Sequence, residues 1–352
     1  QGKPGRQRPA ARQFIGHRGE GIGVEVSARG RLSISIARVR LSTPAFDARC
    51  TMEKESQAFE KLYPQEFLQR FLAKGLRPDG RGLTSARDVT VHVSPISGSP
   101  GSAIAKVGNT TVVTSAEVSL LDLGGDEGDD DEGRVSHALD VGPLGATHND
   151  GSVAKTRQQV ASVSGRVQGV LSRCVDLRSL KLEGEGGKAW LVGLKSVCLS
   201  LDGGLFDAAL ASCVAALSSL RLPGEVREVV GGGEGRESSE AVVAMEEDRA
   251  PSRPVDFLLI PAATAVSIHG DRLLADPTAF EEALAGAEVS AAWGWAPSGG
   301  GGDPELVSLE VRSEGHGRAT VDADVVHRCL AVSRRRSEAR WKGRCLGGAE
   351  RA

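Results

Sequence analysis

Two carboxylates six residues apart, Asp276 and Glu282, and a short glycine turn, Asp202-Gly203-Gly204, are the residues of this chain best suited to chemistry. Paired carboxylates can exchange a proton with a reacting group, and a glycine turn that opens a helix can present backbone N–H groups to an anion. Each also has a plainer reading. Asp276 followed by Pro277 opens a capped turn, with Glu282 exposed or paired with a neighbour. Two oxygen ligands alone do not make a metal site. The six cysteines, Cys50, Cys174, Cys198, Cys213, Cys329 and Cys345, include no CxxC pair, and no histidine has a second at helical ligand spacing. No metal and no other cofactor is expected. Cys174, Cys198 and Cys213 stand among apolar residues, where a thiol behaves as a small hydrophobe in a reducing compartment. The glycine runs at 231–233 and 299–302 lack the following Lys-Ser/Thr of a P-loop, so they read as flexible loops.

The elements that must position these groups are legible from periodicity. Ala103 to Val107 and Thr111 to Val118 alternate and meet at Gly108-Asn109, which predicts a tight hairpin. Arg77-Pro78-Asp79-Gly80-Arg81 is a turn signal before a strand at Val89, Val91 and Val93, with Asp79 able to bond the backbone beyond it. Val160, Val163, Val167, Val170, Leu171 and Cys174 recur at helical steps and predict one buried stripe. Lys155, Arg157, Arg166 and Arg173 lie on or near that helix, as a solvated face or as contacts to RNA or a neighbouring subunit. A strand from Trp190 runs to Asp202, and the helix from Leu205 to Leu220 is apolar around much of its surface, as suits packing on a sheet. A second half carries a hairpin around His269-Gly270-Asp271, strands near Trp293 and at Leu306 to Val311, and a last helix from Val321 to about Arg340. That helix ends in Arg334-Arg335-Arg336, which suits its dipole.

With 352 residues, a prior of roughly 150 per domain gives about two domains. No stretch reaches the ~18 unbroken apolar residues of a membrane helix, so a soluble protein without a membrane partner is expected. A formal net charge of -3 excludes a generally basic nucleic-acid binder, so any RNA contact must be a local patch. The first fifty residues hold nine arginines against Glu20, Glu25 and Asp47, which reads as a transit peptide or as a disordered or artefactual extension. The acidic run Asp122 to Arg134 and the Gly-rich stretch Val229 to Pro254 read as exposed loops. The expected layout is an extension over 1–56, a first half over 57–225, a linker over 226–254, a second half over 255–340 and a tail over 341–352.

In this order, RPDGR, GNT, DGGLFDAALAS and ADPTAFEEA make the chain resemble RNase PH domains over about residues 60 to 340, and among these the non-catalytic ring subunits of the eukaryotic RNA exosome. The resemblance implies an α+β RNase PH fold. Its first half would be like ribosomal protein S5 domain 2, with a mixed sheet and packed helices, followed by a smaller α/β half. It also implies other RNase PH-like ring subunits, cap subunits and threaded RNA as partners, and nucleus, nucleolus and cytoplasm as locations. In active members the glycine turn continues with Thr or Ser and then Arg, which grip phosphate, whereas here Leu205 and Phe206 follow. Losing one charged hydrogen-bonding partner costs on the order of 3 kcal/mol, or about a hundredfold in rate, and Asp207 adds a negative charge nearby. Asp276 then matches the first of two aspartates of active members, and Glu282 replaces the second. The resemblance implies a chain without catalytic residues, in which Phe206, Asp276 and Glu282 are vestiges and Lys155, Arg157 and Arg166 are candidates to meet RNA. A working phosphate-dependent 3'-5' exoribonuclease and a sister subunit of the same ring are the alternatives.

Overall fold

A computed structural model describes residues 14–17, 20–26, 32–37, 58–122, 132–142, 153–182, 187–223, 253–297, 302–313 and 321–347. The chain divides into two units, 1–64 and 65–352. In the first, strands β1 (Phe14–His17), β2 (Glu20–Val26) and β3 (Leu32–Ala37) form an antiparallel sheet in that order. All three strands lie within the expected extension over 1–56. Ile22, Val24, Val26, Ile34 and Ile36 supply β-branched residues at alternate positions, and every arginine of the first fifty residues falls outside the strands.

Helix α1 (Pro64–Ala73) lies, but for its first residue, at the start of the second unit. Its first sheet holds β4 (Val89–Val93), β5 (Gly101–Val107), β6 (Thr110–Asp122), β7 (Arg134–Val141) and β8 (Lys188–Ser200), in the order β4-β5-β6-β8-β7. Only β7 and β8 run parallel. Parallel neighbours need a crossover, and α2 (Val153–Cys174) lies in it. The β5-β6 hairpin turns at Gly108-Asn109 as the alternation predicts, with Gly108 at φ 57. The RPDGR turn is closed by Gly80 N–H to Arg77 O at 2.9 Å, and Arg81 N–H donates to Asp79 Oδ1 at 2.9 Å.

Helix α3 (Leu205–Ser219) is the centre of the unit. A helix apolar on all sides is stable only when covered all round, and α3 packs against β4, β5, β6 and β8 of the first sheet, against α2, and against the second sheet. The short strands β9 (Arg221–Leu222) and β10 (Arg253–Pro254) pair antiparallel. The second sheet is antiparallel, with β11 (Ile260–His269), β12 (Arg272–Ala275), β13 (Ala287–Trp295) and β14 (Glu305–Arg312) in the order β12-β11-β13-β14. Ala263, Ala292 and Val307 join the core built around α3. Val266, Ile268 and Val289 meet Cys329 of α5 (Ala323–Gly347), with Val325 and Val332 packed beside it. Between β12 and β13 stands the six-residue helix α4 (Ala279–Leu284).

Three boundaries differ from expectation. The two expected halves form one compact unit, because α3 shares its core with both sheets. The last two residues of the expected linker form β10, and the rest of it, 226–252, lies outside the described residues. Helix α5 continues past residue 340 to Gly347, so half of the expected tail is helical. Most of the acidic run, 123–131, and residues 299–301 of the last glycine run also lie outside the described residues.

Candidate functional site

The glycine turn and the two carboxylates meet where the sheets join. After β8 the chain turns at Gly203 (φ 73) and Gly204 (φ 64), left-handed conformations that favour glycine. Gly203 answers a second demand. A Cβ there would lie 2.5 Å from Pro277 O, 2.7 Å from Thr278 C and 2.8 Å from Ala279 N, so the turn is pressed against the start of α4. Gly204 caps α3 and brings no side chain to the task.

On the facing strand end, Asp276 holds φ 53, a conformation that aspartate tolerates better than most residues. Its N–H donates to Ala265 O at 2.8 Å. Asp276 does not cap α4, contrary to the plainer sequence reading. Thr278 does so, in a capping box with Glu281. Asp276 is instead buried and gripped by arginines. The main-chain N–H and Nε of Arg87 donate to Oδ2 at 2.6 and 3.1 Å, and its Nη2 donates to Oδ1 at 2.8 Å. Arg81 Nη1 approaches Oδ2 at 3.5 Å, and Arg340 Nη2 approaches Oδ1 at 3.6 Å. Burial works to raise the Asp276 carboxyl, but the Arg87 hydrogen bonds and the charges of Arg340 and Arg87 outweigh it and hold the group below its ordinary value.

Glu282 is neither free nor paired with a side chain. Its Oε1 accepts the Gly204 N–H at 2.6 Å, at the first turn of α3. Asp202 returns the favour, its Oδ1 accepting the Ala279 N–H at 3.3 Å, so each helix start is capped by a carboxylate from the other's segment. Burial and then the charge of Glu288 push the Glu282 carboxyl up to about 8. Burial also raises Glu288 and Asp207. Asp207 Oδ2 accepts from Arg340 Nη1 at 2.9 Å and from Ala265 N–H at 3.2 Å, which ties α3 to β11 and α5.

Phe206 is 3% exposed, with the Arg166 guanidinium 3.9 Å from its ring centroid. Arg166 also pairs with Glu310 and donates to Ser290 Oγ at 3.3 Å, so this arginine of α2 is spent on contacts with the second sheet. Arg173 donates to Val307 O at 2.9 Å. The side chains of Lys155 and Arg157 lie outside the described residues.

The sequence reading located the turn, Phe206, Asp276 and Glu282, and missed the arginines that bind them together. Arg77 and Arg81 were visible only as parts of a turn, and Arg87 carried no local signal. Arg77 is buried, its Nε donating to Glu281 Oε1 at 2.8 Å and its Nη1 to Ala275 O at 2.7 Å. Around Asp276 three guanidiniums converge, as an anion clamp would require. Arg87 Nη1 is taken by Asp202 O at 2.5 Å, Arg81 Nε by Asp79 Oδ2 at 2.5 Å, and Arg340 by Asp207. Beside them opens a groove of about 570 Å³ lined by Arg81, Arg87, Asp88, Thr90 and Lys106. Among the described residues no group of three His, Cys, Asp or Glu is placed to hold a metal ion.

Residues 85–223 match domain 1 of the 3' exoribonuclease family, RNase PH. With the relatives below, this match establishes that the chain belongs to the RNase PH family. It is 29% identical to exosome complex component rrp43 of Schizosaccharomyces pombe, over 64% of this chain and 78% of that protein. It is 31% identical to exosome complex component Rrp42 of Pyrobaculum aerophilum, over 62% of this chain and 75% of that protein. In fold it is similar to a chain of the Archaeoglobus fulgidus exosome with RNA bound to the active site, with TM-score 0.62 and 22% identity over 79% of this chain and 96% of that one. A chain of an archaeal exosome core gives TM-score 0.60 at 20% identity, over 81% of this chain and 97% of that one. The α+β RNase PH fold expected from the sequence is the fold observed.

Proposed function

We propose that this chain is a non-catalytic structural subunit of the hexameric RNase PH-like ring of the RNA exosome, supporting 3'-5' RNA processing and degradation. Its relatives bear the names of exosome complex components. The observation that carries the non-catalytic part is at position 206. A buried phenyl ring under the Arg166 guanidinium stands two residues after the glycine turn, and Arg81, Arg87 and Arg340 are each committed to carboxylates of the chain itself. An attacking phosphate would have to displace those carboxylates to be held, and catalysis by positioning fails without that hold.

The partners are the other ring subunits, the cap subunits and RNA threaded through the channel, in nucleus, nucleolus and cytoplasm. Lys155 and Arg157 are proposed to face RNA, whereas Arg166 is taken up by the Phe206 ring, Glu310 and Ser290 within the chain. Purified protein with oligo-RNA and inorganic phosphate releases no nucleoside diphosphates under this reading, whereas phosphate-dependent shortening would establish the working exoribonuclease instead. Affinity purification followed by identification of the two flanking chains fixes the ring position and separates this subunit from a sister subunit.

A further inference from the structure

Between the first sheet and its helices a chain of polar side chains crosses the core. His137 of β7 is 8% exposed and Ser196 of β8 2%, and Thr114 of β6 and Cys213 of α3 are fully buried. The His137 Nδ1 lies 3.1 Å from Ser164 Oγ and 3.3 Å from Ser164 O, both on α2. Its Nε2 lies 3.0 Å from Ser196 Oγ, which in turn lies 2.8 Å from Thr114 Oγ1 and 3.5 Å from Cys213 Sγ.

These partners fix where each proton sits. Ser164 Oγ–H donates to His137 O at 3.0 Å, a carbonyl that can only accept, and Ser164 O can only accept as well. The proton between the ring and Ser164 therefore belongs to Nδ1. Nε2 is then bare and accepts from Ser196 Oγ–H, and Ser196 Oγ accepts in turn from Thr114 Oγ1–H. Each hydroxyl and ring nitrogen is paired, but only while the imidazole is neutral. A second proton on Nε2 turns Ser196 from donor to acceptor towards the ring. Ser196 must then donate to Thr114 Oγ1, and the Thr114 hydroxyl is left with Cys213 Sγ at 3.9 Å, a weak acceptor. The charge itself meets no counter-ion. Facing the ring are Ser164 from α2, Ser196 from β8 and, behind it, Thr114 from β6 and Cys213 from α3, whose thiol burial pushes up to about 11. Among the described residues no carboxylate or cation lies within hydrogen-bonding reach of the ring, and burial holds the imidazole below its ordinary value against the Ser164 contact.

We propose that His137 is an acid-sensitive latch, which holds α2 on the first sheet while its ring is neutral and lets the helix lift when the ring takes up a proton from solvent. The helix concerned is the crossover between β7 and β8, and it also reaches the second sheet, Arg166 through Glu310 and Ser290 and Arg173 through Val307 O. Release of α2 frees those contacts as well. The latch is fully closed above pH 6.5 and weakens as pH falls below it, because the opened chain binds a proton that the closed one refuses.

The test is amide hydrogen exchange of α2 in the full chain at about pH 7.5 and about pH 5.5, corrected for the intrinsic effect of pH on exchange. One proton taken up only on opening lowers the protection of the α2 amides by about tenfold over that range. His137→Gln, whose neutral amide offers a donor towards Ser164 and an acceptor towards Ser196, removes the dependence. His269, at the end of β11, is depressed as well, so the quantity read is the difference between wild type and His137→Gln. Protection of α2 that ignores pH in the wild type, or that falls equally in both proteins, overturns the proposal. Should His137→Gln not fold, nitrogen NMR shifts of the wild-type ring replace the comparison. A ring with Nδ1 protonated and Nε2 bare at about pH 7.5, titrating with a midpoint below 6.5, is the expected result. An Nε2-protonated neutral ring, or a midpoint at or above 6.5, overturns the proposal. Neither outcome touches the non-catalytic reading, which is decided by RNA shortening.

Discussion

Replacing Arg77 by methionine tests how the turn before β4 is tied to the end of β12 and to α4. The Arg77 side chain is 0% exposed and that of Glu281 1%, and two parallel N–H donors of the guanidinium face the two carboxylate oxygens. The same guanidinium satisfies Ala275 O at 2.7 Å and Asp276 O at 3.0 Å. Methionine replaces the hydrocarbon stem and leaves the Glu281 carboxylate buried, held only by the Thr278 N–H and hydroxyl. Breaking a buried pair on one side costs about 3–5 kcal/mol, and a stranded buried carbonyl adds about 1 kcal/mol. At roughly 2 °C per kcal/mol for a unit of this size, calorimetry of Arg77→Met shows a midpoint lower by about 8–12 °C. Adding Glu281→Gln removes the orphaned charge and keeps an acceptor for Thr278, so the double variant recovers at least half of the loss. A single variant within about 1 kcal/mol of wild type, or a double variant whose loss equals the sum of the singles, would refute the reasoning.

Gly203→Ala drives a Cβ into the backbone of Pro277, Thr278 and Ala279 at positive φ, and chemical denaturation is expected to show a loss of at least about 2 kcal/mol. Raised above its unfolded value of 4.5, Glu282 contributes stability that is complete below pH 4.5 and lost as pH rises through about 8. His137 and His269 are depressed by burial and act oppositely below pH 6.5, so the quantity to measure is wild type minus Glu282→Gln, which falls across that window. Phe206→Arg alone does not confer phosphorolysis of oligo-RNA, because Glu282 still holds the start of α3. Leu217→Ala, at a position of 0% exposure inside α3, lowers stability by about 2–5 kcal/mol in urea titration.

Periodicity carried most of the architecture. The valines of α2, the hairpin at Gly108-Asn109 and the apolar surround of α3 are local patterns with local causes, and the structure places them as the sequence implies. The β1–β3 sheet was legible in the alternation of Val24, Val26, Ile34 and Ile36, but the arginines between the strands dominated the composition. The site was only half legible. Which residue binds which depends on pairings such as Arg87 with Asp276 and Gly204 with Glu282, separated by 189 and 78 positions, and no spacing rule reaches that far. Asp276 shows the consequence: its sequence neighbours suggest a cap, whereas its role follows from three arginines on two distant segments.

The exchange of carboxylates between the starts of α3 and α4 bears on how the polypeptide is made. When the ribosome has delivered the first sheet and α3, the flank of that helix destined for β11 is bare and its opening N–H lacks an acceptor until Glu282 emerges. The nascent half is therefore a sticky intermediate rather than a finished module. Its maturation awaits the second sheet, so a chaperone that shields apolar surface would act in that interval.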